Sequence, residues 1–401
     1  MNNKNQNKPG YKHTPFGWIP EEWEVKEFGK VVNLSKGKYV PELNEHKNCI
    51  ELEHIEQGTG SINGFVDSSL QKSTKNVFKK GQVLFGKLRP YLQKYWLADF
   101  DGVCSSEVWV LQSNQKECFN EYLFRLIQQH RFIQVANVSS GSKMPRADWD
   151  FVSGYPFPLP PLPEQHKIAT ILSTWDEAIT KTQQLITQLQ QRNKGLMQQL
   201  LKSKEDWVEY RIGDLIKEVK RPVKWDDEEL YHLISVRRRS GGAFYRESLY
   251  GSQILTKNLF TAATDDFLIS KMQIVHGATA IVPKALTGMK ISGSYIAVHA
   301  KDEKKIDIHF FNWLSKAPWF YRLAYISSYG VHIEKMTFNY DDFKRHKIML
   351  PPTVKVQQEI VRILQTAVDE VKLHEQLLAT LQQLKKVLMQ KLLTGEVRVK
   401  I

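Results

Sequence analysis

Beyond Pro163, seam positions recur at alternating steps of four and three residues: Ile168, Leu172, Trp175, Ile179, Thr182, Ile186, Leu189, Asn193, Leu196 and Leu200. Adding 192 to each gives Ile360, Leu364, Ala367, Val371, His374, Leu378, Leu381, Lys385, Leu388 and Leu392. Eight of ten are apolar in each set, and the polar exceptions fall at the same places. A 3.5-residue period held over five heptads predicts a coiled coil rather than a short amphipathic helix. Each run follows a proline-rich stop and has no internal proline, so two helices of about 38 residues, on the order of 57 Å long, are expected. Paired with each other, they would run antiparallel and relate the two halves of the chain by a pseudo-twofold. In that register Trp175 meets Lys385, whose stem would cover the ring and whose ammonium would lie over its face. The alternative is that both helices bury their seams against partner subunits.

The repeat extends beyond the helices. Leu159-Pro160-Pro161 returns as Leu350-Pro351-Pro352, and Leu196-Met197-Gln198-Gln199-Leu200-Leu201 returns 192 positions later as Leu388-Met389-Gln390-Lys391-Leu392-Leu393. Glu22-Trp23-Glu24 resembles Asp206-Trp207-Val208, and Val83 to Arg89 resembles Phe267 to Gln273, both at an offset of 184. One unit of roughly 190 residues is therefore written twice, globular part first and helix second. The divisions read as a disordered lead over 1–13, globular domains over 14–161 and 205–352, a central helix over 162–204, and a C-terminal helix and tail over 353–401.

The globular parts read as mixed α/β (α+β). Strands are expected over Gln82–Phe85 and Glu107–Gln112, and a helix over Asn120–Val135. In the second copy, strands are expected over Phe267–Lys271 and Ser294–Ala300, and a helix over Ile308–Ala324.

Composition narrows the class. Hydrophobic residues at 42% and charged residues at 25% suit a soluble protein. No window reaches the roughly 18 apolar residues of a membrane span, and the polar start Met1 to Gly10 has no apolar signal core. A cytoplasmic protein is expected. Three cysteines, Cys49, Cys104 and Cys118, have neither disulfide nor zinc spacing, so they read as reduced thiols. A net charge of +13 favours polyanionic partners.

The chemistry of an enzyme is not apparent. Gly81 to Leu88 matches a phosphate-binding loop except at its last position, where Leu88 replaces the Ser or Thr that would hold magnesium. No Asn-Pro-Pro or Asp-Pro-Pro followed by an aromatic is present for gripping an adenine amine, and the histidines form no H-E-x-x-H pair. The carboxylate pairs Asp226-Asp227 and Asp265-Asp266 read as solvated turns. No metal site is expected.

Four passages carry a family resemblance: Gly17 to Trp23; Leu84 to Tyr91 with Asp101 to Ser106; Ile269 to Ala278; and Leu388 to Val397. In this order they resemble the specificity (S) subunit of type I restriction–modification enzymes, across nearly the whole chain after about residue 14. The resemblance implies two target-recognition domains, each reading one half of a split double-stranded DNA site, and helices that set the gap and dock two methyltransferase (M) subunits. It implies that S-adenosylmethionine, ATP and magnesium belong to those and to the restriction (R) subunits, with no catalysis in this chain. One departure is that the first helix ends in Lys202-Ser203-Lys204 where the second is followed by Thr394-Gly395-Glu396. A competing reading is a coiled-coil scaffold whose globular domains bind protein.

Arg and Lys read guanine or grip phosphate, and Asn and Gln read adenine. Candidate DNA contacts in the first domain are Lys87, Arg89 and Tyr91, with Lys143 and Arg146 in the turn Ser139 to Arg146. In the second they are Arg237, Arg238 and Arg239 before a Gly-Gly turn, Lys271, Gln273 and His276 at the matching repeat position, and Lys335, in a turn that parallels the first domain's and reads as the recurrence of Lys143. Positions shared by both domains suit phosphate contact better than base choice, because the two half-sites should differ. Which bases are read is not written in these residues.

Overall fold

The computed structural model describes residues 8–138 and 144–400. The chain forms two compact units, one of residues 1–183 with 376–401 and one of residues 184–375. The division cuts both long helices at mid-length instead of at 162 and 353. The reason is packing. In the first unit the globular core of Trp23, Phe28, Phe85 and Phe157 closes over Ile168 and Leu172 from one helix and Leu392 and Leu393 from the other. In the second unit Phe267, Phe310 and Phe311 close over Ile360 and Leu364, with Leu201 in the same core. Each aliphatic side chain buried this way contributes roughly 2 kcal/mol, so each globular part is anchored to the start of one helix and the end of the other.

The helices span Leu162–Leu200 and Val354–Leu393. Pro163 sits in the first turn, where its missing N–H costs no hydrogen bond. Within each unit the two helices run antiparallel. In the first unit Asp176 pairs with Lys385. In the second, Arg192 pairs with Glu370 at 2.5 Å while Asn193 donates to the Ala367 carbonyl at 2.6 Å. Among the expected seam residues, Leu172, Leu189, Leu364 and Val371 are buried, and Trp175, Ile179, Leu196, Leu378, Leu381 and Leu388 are half-buried. The Lys385 ammonium departs from expectation. It goes to Asp176, which also receives Arg125 at 2.5 Å, and not onto the Trp175 ring. A carboxylate shared between two cations in a half-buried site outweighs a ring quadrupole.

The two globular parts repeat one topology. In the first unit Val32–Leu34, Val108–Ser113, Val83–Gly86 and Tyr95–Leu97 lie in that order in an antiparallel sheet. In the second, Ile216–Glu218, Tyr295–Ala300, Phe267–Ser270 and Thr279–Ile281 do the same. A second sheet in each unit contains one parallel pair, Asn48–Ile50 with Gly102–Cys104 and Leu230–Val236 with Lys290–Ser292. The strands expected from sequence are present with ends shifted by a residue. Each expected helix of the globular parts is split in two, into Asn120–Leu126 and His130–Ala136, and into Ile308–Leu314 and Pro318–Ile326. Pro318 explains the second break, since it holds Ala317 extended. The first breaks at Gln129 without a proline.

Structure begins inside the expected lead over 1–13. A strand already runs over Tyr11–Thr14, paired with Gly17–Pro20, and the Tyr11 hydroxyl donates to the Gly395 carbonyl at 3.0 Å. No helix among the described residues is long and apolar enough to cross a membrane.

Candidate nucleic-acid interface

Lys87 leaves the central strand Val83–Gly86 with both its backbone groups engaged. Its N–H donates to the Glu107 carbonyl at 2.9 Å and its carbonyl accepts from Ala147 N–H at 2.8 Å. Lys271 leaves Phe267–Ser270 in the same way, donating to the Ser294 carbonyl at 2.9 Å and accepting from Phe338 N–H at 2.9 Å. The recurrence of Lys87 as Lys271 is thus a recurrence of backbone geometry. Carried back along the chain, the step of 191 from Ala147 to Phe338 aligns Lys335 with Met144, not with Lys143. Lys143 itself lies outside the described residues.

In the first unit, Arg89 N–H donates to the Pro145 carbonyl at 2.8 Å and Leu88 bridges to Arg146. Arg89 and Gln93 both adopt left-handed backbone conformations (φ 52°) on either side of the turn Pro90–Leu92. Each such non-glycine residue costs roughly 1 kcal/mol, held here by the strand contacts on both sides. The turn leaves Arg89 and Tyr91 exposed. Arg146 points elsewhere. Its guanidinium forks onto Glu107 at 3.0–3.2 Å, and that carboxylate raises its affinity for the proton.

In the second unit the turn after Leu230–Val236 also uses left-handed residues, Arg239 (φ 55°) and Ser240 (φ 54°). Their N–H groups donate to the carbonyls of His276 and Gly277 at 2.7 and 2.8 Å. Gly277 is itself left-handed (φ 70°), and a side chain there would strike the Tyr321 hydroxyl. Arg237, Arg238, Arg239, Lys271, Gln273, His276 and Lys335 therefore belong to one patch, but their charges differ in availability. Arg238 is bound by Glu334 at 2.6 Å, Arg237 lies 4.0 Å over the Phe244 ring, and Lys271 Nζ donates to the Gly293 carbonyl at 2.8 Å. His276 Nε2 is 3.2 Å from a Glu334 oxygen but off the hydrogen-bond direction, so this buried nitrogen is unsatisfied, as is Gln273 Oε1. Among the described residues, Lys87, Arg89, Arg239 and Lys335 carry no ion pair or side-chain hydrogen bond.

Sequence reasoning missed the acids that hold these arginines, Glu107 and Glu334, because neither recurs in the other copy. It also missed Gln165 and Gln357, although their spacing of 192 was visible. Both are fully buried at the start of a long helix. Gln165 accepts from Phe119 N–H and donates to the Glu117 and Pro160 carbonyls at 2.7–2.9 Å. Gln357 accepts from Asp307 N–H and donates to the Lys305 carbonyl, both at 2.9 Å.

Half of the string Gly81 to Leu88 is sheet, since Val83–Gly86 is hydrogen-bonded to strands on both sides. Among the described residues, no group of three or more His, Cys, Asp and Glu side chains is placed to hold a metal ion.

The family described as "Type I restriction modification DNA specificity domain" matches residues 20–191 and again 204–383. The EcoDI type I specificity subunit of Escherichia coli is 34% identical over 155 residues, covering 37% of this chain and 34% of that protein, so the match spans about a third of that relative's length. The putative MjaX specificity subunit of Methanocaldococcus jannaschii is 25% identical over 97% of both chains. Two solved structures share the fold at 20% identity. One, described as "Structural basis underlying complex assembly and conformational transition of the type I R-M system", has a TM-score of 0.62 and covers 94% of this chain and 99% of that one. The other, the HsdS subunit from Thermoanaerobacter tengcongensis, has a TM-score of 0.56 and covers 94% and 98%. Twice matched, and with the same sheet order in both copies, the chain belongs to the type I restriction–modification DNA specificity family.

Proposed function

We propose that this chain is the sequence-reading subunit of a type I restriction–modification complex, with each unit reading one half of a bipartite DNA target. One observation carries the reading. The backbone clasp around Lys87 recurs around Lys271, while the side chains beside it differ: Arg89, Tyr91 and Arg146 in one unit, Arg239, His276 and Lys335 in the other. A shared frame with different side chains is what two half-sites of different sequence demand.

The chain performs no chemistry in this reading. S-adenosylmethionine, ATP and magnesium belong to two methyltransferase subunits and to restriction subunits, in the cytoplasm, and the paired helices set the gap and dock the methyltransferases. Leu377, Leu384 and Val387 support docking, since in the first unit they form an exposed apolar stripe on the second helix apart from its seam.

Co-expression with a methyltransferase partner, followed by methylome sequencing, tests the reading. Adenine methylation at one split sequence is expected, and the chain alone should methylate and cut nothing. Methylation without sequence preference in a competent complex overturns it.

A further inference from the structure

Each unit contains an open groove built on the same glycine and aromatic frame, outside the candidate contacts above. In the first unit it has a volume of about 1040 Å³ and is bounded by Lys30, Asn33, Lys36, Lys38, Trp149 and Asp150. In the second its volume is about 620 Å³, bounded by Arg211, Lys217, Lys301, Tyr340, Asp341 and Lys344. Asn33 and Lys217 are 184 residues apart, and Trp149 and Tyr340 are 191 apart, as are Asp150 and Asp341. These are the offsets of the clasp itself.

The floor repeats in its backbone. Phe28 N–H donates to the Tyr155 carbonyl at 2.8 Å, and Ile212 N–H to the His346 carbonyl at 2.9 Å. Gly29 lets the short helix Phe28–Val31 approach Trp149–Ser153 so closely that an added Cβ would sit 2.7 Å from Ser153 Cβ. Gly213 does the same against Lys344, at 3.1 Å. Both copies therefore keep glycine where two short helices cross, and both put an aromatic residue beside the crossing.

The rim carries more cations than acids. In the first unit Lys36 is exposed and, among the described residues, has no ion pair or side-chain hydrogen bond. In the second the same holds for Arg211 and Lys217. Position completes the case. Two residues beyond Ala147, which is bonded to Lys87, the chain reaches Trp149 in the groove. Two beyond Phe338, which is bonded to Lys271, it reaches Tyr340. The groove thus adjoins the proposed reading patch in each unit.

We infer that these twin grooves seat the DNA sugar-phosphate backbone and supply a grip independent of sequence, with Lys36 in one unit and Lys217 in the other as phosphate contacts. Charge and position argue for this ligand: the frame of the groove repeats while its cations stand at different places, Lys217 where the first unit has Asn33, and unpaired cations beside each reading patch suit phosphates, which are the same at every site. The inference rests on the DNA-reading proposal above.

The test uses the full-length chain, with Lys36→Ala and Lys217→Ala combined, and the corresponding Lys→Arg pair as a charge-retaining control. Both lysines are exposed, so the fold is expected to survive, and circular dichroism confirms it. Affinity is titrated at several potassium chloride concentrations on a duplex bearing the methylated site and on one of scrambled sequence. The slope of log affinity against log salt should fall by about 0.9 for each phosphate no longer neutralised, equally on both duplexes. The preference between them should stay unchanged, and the arginine pair should restore the slope. An unchanged slope, or a weakening confined to the site-bearing duplex, overturns the inference. So does intact DNA binding with weakened methyltransferase association, which would make the groove a protein seat. Absence of any site preference in the unaltered chain instead defeats the reading proposal, and the slope still decides the groove.

Discussion

Asn193 donates its side-chain amide to the Ala367 carbonyl at 2.6 Å, so a polar seam position of one long helix bonds the backbone of the other. A polar residue in such a seam fixes register at a cost in stability. Asn193→Leu is expected to hold or raise the thermal midpoint while broadening the calorimetric transition, as alternative registers approach each other in energy. A midpoint lowered by several degrees with a sharp transition would assign Asn193 to stability instead.

The buried glutamines should be costly to lose. Gln165→Leu leaves Phe119 N–H and the carbonyls of Glu117 and Pro160 without their present partner. Leaving such buried groups unpaired costs roughly 2–3 kcal/mol. Gln357→Leu should cost a similar amount through Asp307 and Lys305. Urea unfolding of each variant measures the loss, and midpoints unchanged in both would remove the glutamines from the account.

The acids beside the arginines should restrain DNA binding. Glu107→Gln removes the charge paired with Arg146, and Glu334→Gln the charge paired with Arg238. Each should strengthen binding to scrambled duplex and steepen its salt dependence by up to about 0.9. Arg239→Ala, which removes an unpaired charge, should flatten it. Fluorescence titration at graded salt reads both directions.

The three thiols should be inert in the folded chain. All are buried and free. Burial pushes Cys49 and Cys118 up to about 12, and moves Cys104 in the same direction. Loss of solvation disfavours the thiolate, so at pH 8 only about one in ten thousand of the Cys49 or Cys118 groups is reactive. A chromogenic aromatic disulfide should label none of them in the native protein and all three after denaturation in guanidinium. Rapid native labelling would contradict this packing.

The duplication, the two long helices and the strands on either side of Lys87 and Lys271 could all be read along the chain. Their signals are local: a 3.5-residue period, proline stops, and strings repeated at 184 and 192 residues. The split of Asn120–Val135 at Gln129 could not, since no proline or glycine marks it. The fate of individual charges was equally hidden. Lys385 finds Asp176, Arg146 finds Glu107 and Arg238 finds Glu334 across 209, 39 and 96 residues.

What the sequence determined by itself was the architecture of a repeated reader, because periodicity and repetition are properties of order along a chain. What only the tertiary structure decided was which cations remain unpaired, and that Gly29 and Gly213 let two short helices cross closely beside a groove in each unit. Charge pairing and close approach depend on distances between residues far apart in order, and those distances exist only once the units have packed.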